Sequence, residues 1–182
     1  MKCDEFVEGL RLATPSEESL RAIGRRPLTI ESWRKCYRCV PRNSTLSIPK
    51  NIDEHDQLVK LIAGWDLSTV EIGQVLFATE LEKTEFGVPI GRHETCRIFL
   101  PDDGGPLLER EFGIETHVLC QVAASSENYL HMLHEYAVFL AKVALKESSY
   151  DDMDECERVA ARCIELAGGE EYTSFCRGLF GI

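Results

Sequence analysis

His117-Val-Leu-Cys-Gln-Val122, running through Ala123-Ala-Ser-Ser126 into Glu127-Asn-Tyr-Leu-His-Met-Leu-His-Glu-Tyr-Ala-Val-Phe-Leu-Ala-Lys-Val-Ala-Leu145, decides how this chain folds. The first piece is a short apolar run of strand length, and the serines after it are good helix caps. In the second piece Tyr129, Leu133, Tyr136, Leu140 and Val143 recur at helical spacing, with Met132, Ala137, Phe139 and Ala144 widening the stripe. A helix with so broad an apolar face cannot offset the cost of ordering its own backbone in water. A sheet must lie beneath it, and the strand that precedes it belongs to that sheet.

Working outward, Ile72 to Phe77 reads as a strand interrupted by Gly73, Thr95 to Leu100 as a second, and Phe86 to Ile90 as a shorter one. Pro101-Asp-Asp-Gly-Gly-Pro106 demands a turn. Helices are expected over Asp4 to Ala13, from a Thr14 cap with Pro15 and Glu17 to near Gly24, from a Thr29 cap to just before Pro41, and over Asp53 to Ala63. In the third of these Ile30, Trp33, Cys36, Tyr37 and Val40 share a face opposite Arg34, Lys35 and Arg38. Ser44 to Ile52 reads as a brief extended piece. Met153 to Ala167, with Met153 facing inward, and Glu170 to Leu179 close the chain as amphipathic helices.

No repeat or low-complexity linker divides the 182 residues, so one α+β domain is expected: a mainly antiparallel sheet with helices packed on it and N- and C-terminal helices flanking it. Residues 1–45 form a helical N-terminal extension in this reading and 46–182 the sheet-and-helix core. With 44% hydrophobic and 28% charged residues the chain is of folded, globular type. No apolar run reaches membrane-span length and Met1 to Glu8 lacks the apolar core of a signal peptide, so a cytoplasmic chain with reduced cysteines is expected.

The net charge of −11 argues against duplex nucleic acid as a partner and for a basic protein, which an acidic surface attracts over long range. The charge is unevenly spread: Arg21 to Lys50 is basic, and Glu147 to Glu171 is rich in acids. Asp102, Asp103, Asp151, Asp152 and Asp154 are the candidate partner-binding residues. The basic face at Arg34, Lys35 and Arg38, near Trp33 and Tyr37, offers cation and stacking contacts to an RNA loop, or complements the acidic helices within the chain.

No phosphate loop, nucleophile elbow or complete ligand set is legible, so neither catalytic residues nor a cofactor are expected. Cys36-Tyr-Arg-Cys39 is the sharpest local motif, since two thiolates at that spacing can share a metal or act as a redox pair. With His93-Glu-Thr-Cys96 it would complete a three-cysteine, one-histidine set, the basis of the alternative reading as a small metal protein or enzyme. Against it, Cys36 falls on the apolar face of a helix, where a thiol is a small hydrophobe. His131 and His134 match no zincin order and fall opposite the apolar stripe. Asp102, Asp103, Glu109 and Glu111 surround the glycine turn as surface charges.

From Ile48-Pro49 onward the order of elements resembles the SUKH superfamily. The similarity is carried by Ile72 to Phe77, by Thr95 to Leu100, by His117-Val-Leu-Cys-Gln-Val-Ala-Ala-Ser-Ser-Glu-Asn-Tyr-Leu130 and by Glu170-Glu-Tyr-Thr-Ser-Phe-Cys-Arg-Gly-Leu179. The chain lacks a clear Asn-Gly-Gly after the first helices and a Trp at Phe175-Cys176. The resemblance implies an α+β domain that binds other proteins, often neutralising a toxin such as a nuclease. It transfers no catalytic residue.

Overall fold

The structure, a computed structural model, describes residues 1–50 and 52–182. Its centre is a six-stranded antiparallel meander of β3 (Glu71–Ile72), β4 (Val75–Phe77), β5 (Val88–His93), β6 (Cys96–Leu100), β7 (Leu107–Arg110) and β8 (Val118–Ala123), each strand beside its sequence neighbour. A separate two-residue ladder joins β1 (Val40–Pro41) to β2 (Trp65–Asp66).

Ser125 caps the long helix α5 (Ser126–Ala144) by accepting from the Asn128 N–H, as the serine run requires. The apolar stripe of α5 is buried, and α1 (Cys3–Ala13), α4 (Gln57–Gly64) and α6 (Met153–Ala167) pack against it. Asp56 ties two helix starts together. It caps α4 through the Leu58 and Val59 N–H groups and accepts the Ser126 hydroxyl at 2.5 Å. The chain closes with a turn of 3₁₀ helix and α7 (Thr173–Gly178), which lies over β8 with Phe175 and Cys176 buried.

Several local expectations need correcting. Ile72 to Phe77 is a hairpin of two strands, because Gly73 takes φ +63 and turns the chain. Helix α2 (Glu17–Ala22) is capped by Ser16 and not Thr14, whose hydroxyl instead donates to the Leu10 carbonyl at the end of α1. Helix α3 (Pro27–Cys36) starts with Pro27 in its first turn, so Thr29 is inside it, and it ends before Tyr37, leaving Val40 to β1. Ser44 to Lys50 is irregular, and Asn51 lies outside the described residues. Met153 is exposed, because it sits at the open first turn of α6.

Strands β1, β2 and β7 are additions to the expected set. In β7 the inward positions are Leu107 and Glu109, so an acid stands where an alternating strand signal needs an apolar residue.

The N-terminal helices are clamped to α5 by polar contacts as well as packing. The Tyr37 hydroxyl donates to the Ala137 carbonyl at 2.9 Å, and the Arg25 guanidinium reaches the Val143 and Ala144 carbonyls at the C-terminus of α5. A cation there meets the negative end of the helix dipole. Beside them, the half-buried His134 ring lies so close to Gly9 that a Cβ on that glycine would stand 2.6 Å from it. The α5 face expected to be solvated at His134 is therefore covered by α1.

Candidate functional site

Two groupings collect polar side chains, one internal and one external. The internal one is built by strand register. Glu109 on β7 lies opposite Cys120 on β8, and His93 on β5 lies opposite Cys96 on β6. The Glu109 carboxylate, 7% exposed, pairs through Oε1 with His93 Nδ1 at 2.9 Å and accepts from the Cys120 thiol through Oε2 at 3.3 Å. The Phe175 ring of α7 meets the His93 ring edge-to-face with centroids 5.2 Å apart. The fully buried Tyr129 hydroxyl has no hydrogen-bond partner among the described residues. Burial, and then the charge of Glu109, hold its proton well above the usual phenol range.

This arrangement does not activate a nucleophile. Thiol catalysis requires a thiolate stabilised by a cation, a protonated histidine or a helix N-terminus, whereas Cys120 donates to a carboxylate, which disfavours the thiolate. Burial first, and the Glu109 charge second, push it up to about 12. Burial also raises Cys96, with Glu109 adding to the effect. The cluster is a bridge in which one carboxylate joins β5, β7 and β8 beneath α7.

The two halves of the expected zinc set fall in different surroundings. Cys36 borders a shallow pocket of about 460 Å³ beside Trp33, Glu71 and Leu140, and Cys39 is pushed up to about 12 by burial. His93 and Cys96 sit at the β5–β6 turn near Glu109. Among the described residues no group of three or more His, Cys, Asp or Glu side chains is placed to hold a metal ion. Glu109, assigned above to a surface turn, is the residue that sequence reasoning misplaced; the alternation of Leu107 and Glu109 before the apolar run at Val118 was its only signal.

The external grouping is the loop into α6. Asp151, Asp152 and Asp154 are exposed and have no ion-pair partner among the described residues. Asp152 caps α6 through the Glu155 N–H, and Asp151 accepts from Ser149. Beside them Tyr150 and Met153 are 40% and 51% exposed. Tyr150 is held in place: its hydroxyl meets that of Tyr136 at 2.8 Å, and its ring packs edge-on to Phe139 at 5.3 Å. Tyr136 in turn donates to the Leu179 carbonyl.

Asp102 and Asp103 are not part of this surface. They lie in the β6–β7 turn, where Asp102 pairs with Lys83 at 2.8 Å and Asp103 accepts the Gly105 N–H. That turn adjoins the Leu107–Ala123 pair at the start of α5. The Ala167 carbonyl at the far end of α6 accepts the Ala124 N–H there, so the first turn of α6 stands roughly 20 Å away along the helix. The five candidate acids thus form two groups, of which only the first contains an ion-paired member, Asp102, among the described residues.

The expected pairing of the basic helix with the acidic C-terminal helices does not form among the described residues. Arg34 and Arg21 both pair with Glu17, and Lys35 with Glu31 of its own helix. Tyr37 is 2% exposed, so it has no face to offer an RNA base. No helix of the described residues is long and apolar enough to cross a membrane. No family model, curated protein or solved structure matches the chain.

Proposed function

We propose that the chain is a protein-interaction domain that performs no chemistry of its own, of the immunity or regulatory type, and that it captures a basic protein on the Tyr150–Asp154 loop. One observation carries the reading: two exposed apolar side chains, one of them a tyrosine locked by Tyr136 and Phe139, stand beside three aspartates that have no counter-ion among the described residues. Fixed aromatic anchors ringed by uncompensated charge are the pattern from which interface energy is drawn, the anchor supplying desolvated area and the charge supplying steering and register. The charge layout agrees, since residues 52–182 carry 25 acids against 10 Lys and Arg. The SUKH-like order of elements, and the toxin-neutralising role it implies, are compatible with this surface.

The test uses the full chain as bait in its native cells, followed by purification of the captured protein and measurement of its affinity. The expected partner is rich in Lys and Arg, and its affinity falls tenfold or more in Tyr150→Ala/Met153→Ser and in Asp151→Lys/Asp154→Lys, while Asp102→Lys/Asp103→Lys keeps it. A partner bound equally well by the charge-reversed loop, or equally well at about 0.05 M and about 0.5 M salt, would overturn the proposal.

A further inference from the structure

We infer that the N-terminal helices form a second, independent site: a cleft for a nucleotide-sized anion, with phosphate groups on an arginine rim and a flat ring against Trp65. The cleft measures about 950 Å³ and is walled by α1, α2 and α3, with Trp65 of β2 on its far side. That volume is at the upper end of those that enclose small ligands. Its accessible apolar surface comes from the half-buried Val7 and Trp65, with the buried Ile30 and Tyr37 behind them, so a ring entering it meets hydrocarbon and indole.

The rim is cationic in a chain that is otherwise acidic. Arg11, Arg21, Arg34, Lys35 and Arg38 line the cleft against Glu8, Glu17 and Glu31. Residues 1–50 as a whole hold ten Lys and Arg against six acids. The carboxylates hold the cations without neutralising them all: Glu17 takes both Arg21 and Arg34, Glu8 takes Arg11 and Glu31 takes Lys35. Arg38 has no ion-pair partner among the described residues. These pairs are solvent-exposed, so an incoming polyanion competes for the guanidinium donors at small cost. Arginine forks then bind phosphate oxygens in pairs.

Not every nearby cation is available. Arg25 caps α5, and Arg42 is spent on the carbonyls of Ile62, Trp65 and Thr79, which fixes the Trp65 backbone at the cleft. The indole is therefore presented on an anchored segment, as a stacking platform requires. Duplex nucleic acid is too wide for this recess, and the net charge of the chain repels it. A small phosphorylated ring compound meets neither obstacle.

Only Trp33 and Trp65 contribute indole fluorescence, and Trp33 lines the other pocket. In the Trp33→Phe chain, titration with ATP is expected to change Trp65 emission saturably, with affinity lost tenfold or more in Arg34→Glu/Arg38→Glu and unchanged in Arg158→Glu, a distant surface control. Tripolyphosphate alone and adenosine alone are expected to bind at least tenfold more weakly than ATP. Failure of ATP to saturate the signal at millimolar concentration and low salt would overturn the assignment. So would tripolyphosphate binding as tightly as ATP, or indifference to the charge reversal in a variant that keeps wild-type circular dichroism. Capture of a basic protein by the α6 loop is untouched by any of these results.

Discussion

Replacing Glu109 by alanine tests whether the buried carboxylate bridges the sheet as described. The substitution takes the acceptor from two groups at once, His93 Nδ1 at 2.9 Å and the Cys120 thiol at 3.3 Å, where the His93 and Glu109 side chains are 14% and 10% exposed. Loss of a hydrogen bond to a charged acceptor costs about 1.5–3 kcal/mol, and the weaker thiol bond about 0.5–1. The space vacated by the side chain adds about 1 kcal/mol. The sum, about 3–5 kcal/mol, matches the cost of breaking a buried pair by removing one member. At a urea m-value of about 2 kcal/mol/M the denaturation midpoint falls by roughly 2 M. Glu109→Gln, which keeps one acceptor oxygen, is expected to cost about half as much. His93→Ala combined with Glu109→Ala should cost less than the two single changes added together by about 1 kcal/mol or more. A Glu109→Ala chain within about 1 kcal/mol of wild type, with m unchanged, would refute the bridge: the carboxylate would then be solvated and its neighbours indifferent to it.

Gly91→Ala is expected to lower thermal stability by an amount equivalent to about 1–3 kcal/mol, since its Cβ would stand 2.4 Å from the Leu76 carbonyl oxygen across the β4–β5 ladder; an unchanged melting temperature would contradict that register. Arg25→Ala removes the guanidinium from the Val143 and Ala144 carbonyls and should cost about 1–2 kcal/mol while exposing the chain near Gly24 to limited proteolysis. Alkaline stability follows from the thiols. Cys39 and Cys176 are pushed up to about 12 by burial, whereas an unfolded thiol titrates near 8.5. Their contribution is complete below the unfolded value and is lost as pH rises toward the folded one, so urea stability should fall between about pH 9 and about pH 12 by up to about 1.4 kcal/mol per pH unit for each thiol. Cys39→Ala/Cys176→Ala should flatten that slope, and an unaltered slope would exclude these thiols as its source.

What could be read from residues alone was whatever repeats at a helical or strand period. The helix that follows Ser125 and the helix Met153 to Ala167 stand out because many side chains vote for one face, whereas the strand at His117 to Val122 stands out only as an apolar run, two of whose members, Val118 and Leu119, are exposed. The turn at Pro101 to Pro106 stands out because its residues permit little else. Strand β7 was hidden by the inward Glu109, and β1 and β2 by their two-residue length. The cap of α2 was placed two residues early, at Thr14, because hydroxyl residues flank Pro15 on both sides, and it is the Ser16 hydroxyl that accepts the Ser19 N–H. The loop aspartates were visible as acids. Their value as a surface depends on Tyr150 being pinned by Tyr136, fourteen residues earlier, and no local pattern announces that contact. Likewise the basic residues were evident in sequence, but the cleft they border needs Trp65, which β1–β2 pairing brings to them.

The clamp that ties Arg25 and Tyr37 to α5 spans 119 and 100 residues of chain, whereas the meander pairs every strand with its immediate successor. In terms of chain entropy the difference is small, because closure cost grows only with the logarithm of loop length: about 2 kcal/mol separates a hundred-residue loop from a ten-residue one. A few buried side chains suffice to offset it. The N-terminal helices therefore close onto the same core as the meander at little entropic cost, with Phe6 and Leu10 fully buried in it.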